Sequence, residues 1–148
     1  MTRPRNKVRH DVSILHLLHR AGLSVDELFE FFVGFNGPSA RQHAILAAVA
    51  RNDGASQAAI VEDTGIDRST TSAMVILLLR KGWLQRRPAK DDGRAYALRL
   101  TAVGRKVIRR SRGAAVEADA KLLAPLATRR RAVLVKALRK IVETYGVA

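Results

Sequence analysis

Asp67-Arg68-Ser69-Thr70-Thr71-Ser72, then Met74-Val75-Ile76-Leu77-Leu78-Leu79, Lys81-Gly82-Trp83-Leu84 and Asp91-Asp92-Gly93-Arg94, closing on Tyr96-Ala97-Leu98-Arg99-Leu100-Thr101, decide how this chain folds. They read as a hydroxyl-rich helix start, a glycine stop, and a basic hairpin that runs into another helix. Asp67 or Arg68 opens the helix, and Gly82 supplies the left-handed residue that ends it. A helix start crowded with Ser and Thr, followed by two strands carrying arginines, can meet a base edge and a phosphate rail together.

Outward from this stretch the same signals recur. Gly65 ends a short segment, from Gln57 to about Thr64, that Ser56 can cap, and two short helices joined across that glycine form a helix-turn-helix. Asn52-Asp53-Gly54 is a turn, and Ser39-x-x-Gln42 is a capping box opening a helix with Ile45, Leu46 and Val49 inward. Gly37-Pro38 breaks the chain before it. From about residue 8 to 35 apolar residues fall at helical spacing: Val12, Leu15, Leu18, Leu28, Phe31, Phe32 and Phe35. Ala21-Gly22 weakens the middle of that run and Ser24-x-x-Glu27 can restart it, so one kinked helix and two shorter ones are both open. Residues 83 to 87 should be a strand, 88 to 93 the hairpin tip, and Tyr96, Leu98 and Leu100 the inward side of a second strand. Thr101 caps a long helix to about residue 123, Pro125 interrupts it, and Thr128 opens a last helix ending near residue 145. The expected architecture is a single domain over 1–148, mainly α with a small β-hairpin wing. Its winged helix-turn-helix lobe covers 38–100, with N- and C-terminal helices at 8–35 and 102–146.

Composition narrows the classes. A chain of 148 residues with 47% hydrophobic content can bury a real core and is not disordered. No apolar run approaches the roughly 20 residues of a membrane span, and residues 1–9 are basic without the apolar stretch of a secretory signal, so the expected location is cytoplasmic. With no cysteine, disulfides, thiolate metal sites and thiol redox sensing are excluded. The net charge is +14, and residues 80–112 concentrate it, with twelve Lys or Arg against Asp91 and Asp92. Residues 1–35 hold five bases against four acids. A block of that kind implies a polyanionic partner, although a solvated basic surface would have the same composition.

The first turn of a helix seated in the major groove carries the residues that touch bases. Here it offers Arg68, Ser69, Thr70, Thr71 and Ser72. Arg68 suits a bidentate grip on guanine; the hydroxyls donate or accept, and a threonine methyl can pack on a thymine methyl. One hydroxyl is enough for a cap, and four in a row exceed that need. Gln57, first in the preceding helix, and Arg86, Arg87, Lys90 and Arg94 of the hairpin complete the expected DNA contacts.

The D-R-S-T-T-S helix start, the K-G-W-L helix exit and the D-x-R wing followed by L-x-L-T resemble the MarR family of bacterial transcription regulators, and the resemblance extends more loosely over nearly the whole chain. It implies a homodimer on double-stranded DNA, clasped by interlocking N- and C-terminal helices. It also implies that Arg94 enters or borders the minor groove, while Asp92 holds the wing in shape. Effectors in such proteins sit where the dimer helices meet the DNA-binding lobe. His16, His19 and Arg20 lie on about one helical turn; Arg20 could hold the carboxylate of a small aromatic acid, and the alternative is that the three are helix-surface residues salt-bridged across the dimer. One departure stands out: relatives usually carry charges where this chain has Ile76, Leu77 and Leu79.

The reading is therefore a sequence-specific, ligand-responsive transcriptional regulator, with repression as the simplest mode. The alternative is a sequence-nonspecific basic DNA- or RNA-binding protein without effector response; a basic helix lying on a membrane surface comes third, and no membrane partner is expected. No phosphate loop, paired carboxylates or His with an obvious nucleophile suggests an enzyme. His16-x-x-His19 has metal-ligand spacing but no third ligand, so neither a metal nor any cofactor is expected.

Overall fold

The computed structural model describes residues 13–89 and 96–146. Among them are six helices and one two-stranded sheet: α1 (Ile14–Val33), α2 (Ala40–Arg51), α3 (Gln57–Thr64), α4 (Arg68–Arg80), β1 (Leu84–Pro88), β2 (Tyr96–Leu100), α5 (Ala102–Leu123) and α6 (Thr128–Tyr145). The architecture is mainly α with a small β-hairpin wing, as the sequence implies.

Caps set most of the boundaries. The Ser39 hydroxyl accepts from the Gln42 amide at 3.2 Å, while the Gln42 side chain accepts from the Ser39 amide at 3.1 Å, closing the capping box. Ser56 caps α3, accepting from the Ala59 amide, and Gly65 at φ 68° ends it in the left-handed conformation. Asp67 caps α4, and Gly82 at φ 69° turns the chain out of it. The N-terminal alternatives resolve to one helix. Ser24 lies inside α1 and its hydroxyl donates back to the Arg20 carbonyl at 3.1 Å, so it caps nothing. That helix stops at Gly34, one residue short of Phe35, which is 97% exposed.

The core gathers around the helix-turn-helix. Ile45, Leu46 and Val49 of α2, Ile60 of α3, and Val75 and Leu78 of α4 are buried together with Leu84, Leu98 and Leu100 of the wing root and Ile108 of α5. β1 and β2 pair antiparallel with Leu84 opposite Leu100, and Ala55 extends the sheet by an isolated bridge to Leu98. Thr101 does two jobs: its hydroxyl accepts from the Gly104 amide to cap α5, and donates to the Gly82 carbonyl to bind that cap to the exit of α4. Gly104 lies against the Trp83 carbonyl with no room for a Cβ. A smaller cluster, Phe29 with Ala114 and Ala118, seats α1 along α5.

Two local expectations need correction. Tyr96 is 60% exposed rather than inward, because the buried cluster ends at Leu98. Pro88 is the last residue of β1, paired with Tyr96, not part of the tip; as an edge residue it forfeits no ladder bond. Thr128 opens α6, as expected from the sequence, and the cap position before it is Ala127, with no side-chain hydrogen bond. α6 has no buried residue at all.

Candidate nucleic-acid interface

Asp67 organises the start of α4. Its carboxylate accepts from the Thr70 amide at 2.8 Å, and the Thr70 amide and hydroxyl together hold it below the usual carboxylate range. With an acid doing the capping, Ser69 and Ser72 are not needed for it. Arg68 and Ser69 are exposed, and Thr70 and Ser72 are half-buried. Thr71 is the correction among the expected DNA contacts. Its side chain is 0% exposed and its hydroxyl donates to the Ile66 carbonyl at 3.2 Å, so it has no surface to present to a duplex. The inward direction follows from the period of about 3.6 residues, which stacks Thr71 with Val75 and Leu78.

The side of α4 opposite those three residues carries Ser69, Ala73, Ile76 and Arg80, all exposed, with Leu77 on its flank. Met74 and Leu79 pack partly against the core. The apolar run is therefore covered on one side only.

The wing root and α3 meet in a concavity of about 300 Å³ lined by Ser56, Gln57, Arg86, Tyr96 and Leu98. The Arg86 guanidinium lies 5.7 Å from the Tyr96 ring centroid, a cation–π contact that steadies the arginine. Gln57 and Arg86 are thus brought together, and Tyr96 and Ser56 join them; neither had a functional assignment from sequence. The exposure of Tyr96 is not legible from an alternating pattern, which marks it as inward. Arg87 is exposed on the same strand. Lys90, Asp92 and Arg94 lie outside the described residues.

His16, His19 and Arg20 are all exposed along the first turns of α1. Within one chain they line no wall with the DNA-binding lobe. No group of three or more His, Cys, Asp or Glu that could hold a metal occurs among the described residues. A larger concavity, about 470 Å³, lies beside α5, with Ala50, Leu100 and Ile108 as floor and Arg105, Arg109 and Arg112 among its rim. Those three arginines fall at i, i+4 and i+7, a spacing that places them on one helix face. By composition alone they are part of the basic block over residues 80–112.

His43 sits half-buried among α1, α2 and α5. Its ring is 5.1 Å from that of Phe29, and Nδ1 is 2.8 Å from the Ser111 hydroxyl oxygen. Ser111 donates to the Ile108 carbonyl at 3.3 Å, which leaves its oxygen to accept from the imidazole. Burial first, then the charges of Arg112 and Arg51, lower the His43 pKa. Ser111 is fully buried, out of reach of any substrate, so the pair ties α2 to α5.

Comparison with known proteins agrees with this geometry. A family model described as MarR family matches residues 36–95. The crystal structure of the PcaV transcriptional regulator from Streptomyces coelicolor, in complex with its natural ligand, superposes with a TM-score of 0.83 at 31% identity, covering 92% of this chain and 96% of that one. A mutant MarR from E. coli complexed with operator DNA shares the fold, with a TM-score of 0.80 at 20% identity over 87% of this chain and 93% of that one. A protein of Thauera aromatica, named as a transcriptional regulatory protein for the hcr operon, is 29% identical over 99 residues. That match covers 67% of this chain and spans only 60% of the relative's length.

Proposed function

This chain belongs to the MarR family of transcriptional regulators, and from that membership we propose that it is a sequence-specific DNA-binding repressor that acts as a homodimer and responds to a small ligand. One observation carries the reading. The second helix of a helix-turn-helix begins with an exposed Arg68 and Ser69, and the chain leaves it directly into a basic two-stranded wing. In this reading Arg68 grips guanine, Ser69, Thr70 and Ser72 make lesser base or phosphate contacts, and Gln57, Arg86, Arg87, Lys90 and Arg94 follow the backbone, with Asp92 shaping the wing. The lobe over 38–100 reads the DNA, and the helices over 8–35 and 102–146 clasp a second copy.

The exposed apolar residues support the dimer. Ile14, Leu15, Leu23 and Phe31 of α1, with Val133 and Val142 of α6, are each between 65% and 78% exposed in a single chain. So much apolar surface on two terminal helices is suited to burial against a copy of itself. The PcaV structure holds its natural ligand, which favours a small-molecule effector here too. A planar aromatic carboxylate suits Arg20, with His16 one turn before it and His19 adjacent in sequence, and the second copy would supply the remaining walls.

The reading is tested by selecting bound duplexes from a random pool and comparing them with random duplex at fixed salt. A specificity ratio of about 10³ or more is expected. A ratio near one at every salt concentration would instead make this a nonspecific nucleic-acid binder. For the effector, aromatic carboxylates should release the wild-type complex in a mobility-shift titration and lose that effect on Arg20→Ala.

A further inference from the structure

The crest of α4 is apolar where a polyanion would sit. Ile76 is 43% exposed and Leu77 beside it 37% exposed, and Ala73 lies one turn before them, between Ser69 and Arg80. From residue 68 to 90 the chain holds six Lys or Arg and no Asp or Glu. An apolar strip framed by cations, with the neighbouring Asp67 carboxylate tied to the Thr70 amide in the helix cap, fits a polyanion that itself carries apolar groups. The major groove is such a surface: phosphates form its rims, and the C5-methyl of thymine is the one apolar feature on its base edges. From Ser69 to Leu77 the helix advances about 12 Å, comparable to the groove's width of about 12 Å.

We propose that Ala73 and Ile76 read thymine methyl groups, so that each half-site carries thymines beneath the middle of α4 and affinity depends on those methyls. Arg68 and Ser69 read polar edges at one end of the contact, and Arg80 meets phosphate at the other. The inference rests on the regulator reading above and deepens it. Specificity in this protein then comes from apolar packing at the centre of the helix, with hydrogen bonds only at its start. A methyl contact discriminates A·T from G·C and, unlike a guanidinium, also tells T·A from A·T by where the methyl lies.

The test uses the full chain and duplexes selected from a random pool. Each dT is replaced singly by dU, which removes the methyl and leaves the Watson–Crick edge intact. One or two positions per half-site should weaken binding about three- to fivefold each, the effect of losing roughly one buried methyl, while other positions stay neutral. Ile76→Ser should bind dT and dU duplexes equally at the position it reads; Ile76→Val should keep the discrimination. Because the first change is made in the DNA, the wild-type protein carries the test whether or not a variant folds. A selected duplex in which every dT to dU change is neutral overturns the inference and leaves the regulator reading standing. So does Ile76→Ser that keeps full discrimination, or that alters self-association while DNA affinity holds, which would assign the strip to a protein surface. Failure to select any duplex would sink the regulator reading and the inference with it.

Discussion

Arg68 and Thr71 are three residues apart, and both suit a base contact by type, yet the fold gives them opposite tasks. Arg68→Ala should lower operator affinity by about 1–3 kcal/mol and relax the preference at one base pair, measured by titration against single-base variants. Thr71→Val should leave the affinity of folded protein unchanged and cost about 1–2 kcal/mol of stability in denaturant unfolding, because the Ile66 carbonyl loses its donor. His43 supplies a pH dependence. Its folded-state pKa lies below the ordinary 6.5, so the unfolded chain takes up a proton first as pH falls. The stability tied to this lowered pKa is complete above about 6.5 and drains as pH drops from there through the folded pKa. Unfolding midpoints should decline across that window, and His43→Asn should flatten the decline. Asp67 acts lower down, its contribution present above 3.8 and lost as pH falls beneath it. Equal slopes for wild type and the asparagine variant would show that His43 does not set the trend.

At the scale of elements, α5 holds two glycines with opposite roles. Gly104 touches the Trp83 carbonyl, and a Cβ there has nowhere to go because its neighbour is backbone. Gly113 has nothing within 4 Å. Gly113→Ala should gain up to about 1 kcal/mol from helix propensity, whereas Gly104→Ala should lose several °C of melting temperature despite the same propensity gain. Thermal unfolding of the two variants side by side checks the sign. This contrast also shows what the sequence can carry. Caps are local chemistry, so Ser39, Ser56, Asp67 and Thr101 mark their helices legibly from residue type and spacing. Tyr96 and Thr71 are decided by what lies beneath them: the core runs out under the hairpin, and the helix phase turns one hydroxyl of four inward. Neither fact is local. The Arg86–Tyr96 contact depends on the register of the hairpin, and the joining of Gln57 to the wing arises from tertiary packing across some 30 to 40 residues, beyond any motif's reach. Ile76 was conspicuous in sequence as an apolar residue in a basic segment, but only its exposure separates a reading surface from a core position.

At the scale of the molecule, two terminal helices carry apolar faces that a single copy leaves in water. Leu138→Glu on α6, where Leu138 is 39% exposed, should shift the chain towards monomer in sedimentation without unfolding the lobe centred on Leu46 and Leu98. Operator binding should fall by at least about tenfold, since one lobe reads half a site. A monomeric variant that binds as tightly as wild type would remove the need for a pair. The basic wing and α4 give the whole assembly a steep salt response. If four to eight phosphates are neutralised, log K against log salt should slope at about −4 to −7.

α6 has 18 residues, no side-chain cap and no buried position. Most of a helix's stability in a protein comes from packing its apolar face, so a solitary copy would fray there and present cleavable backbone. Abundance then becomes an input to the regulator. In the proposed dimer, scarce copies would be short-lived and silent, and copies plentiful enough to meet would protect each other from proteolysis. Occupancy of the target would then rise more steeply than the copy number itself.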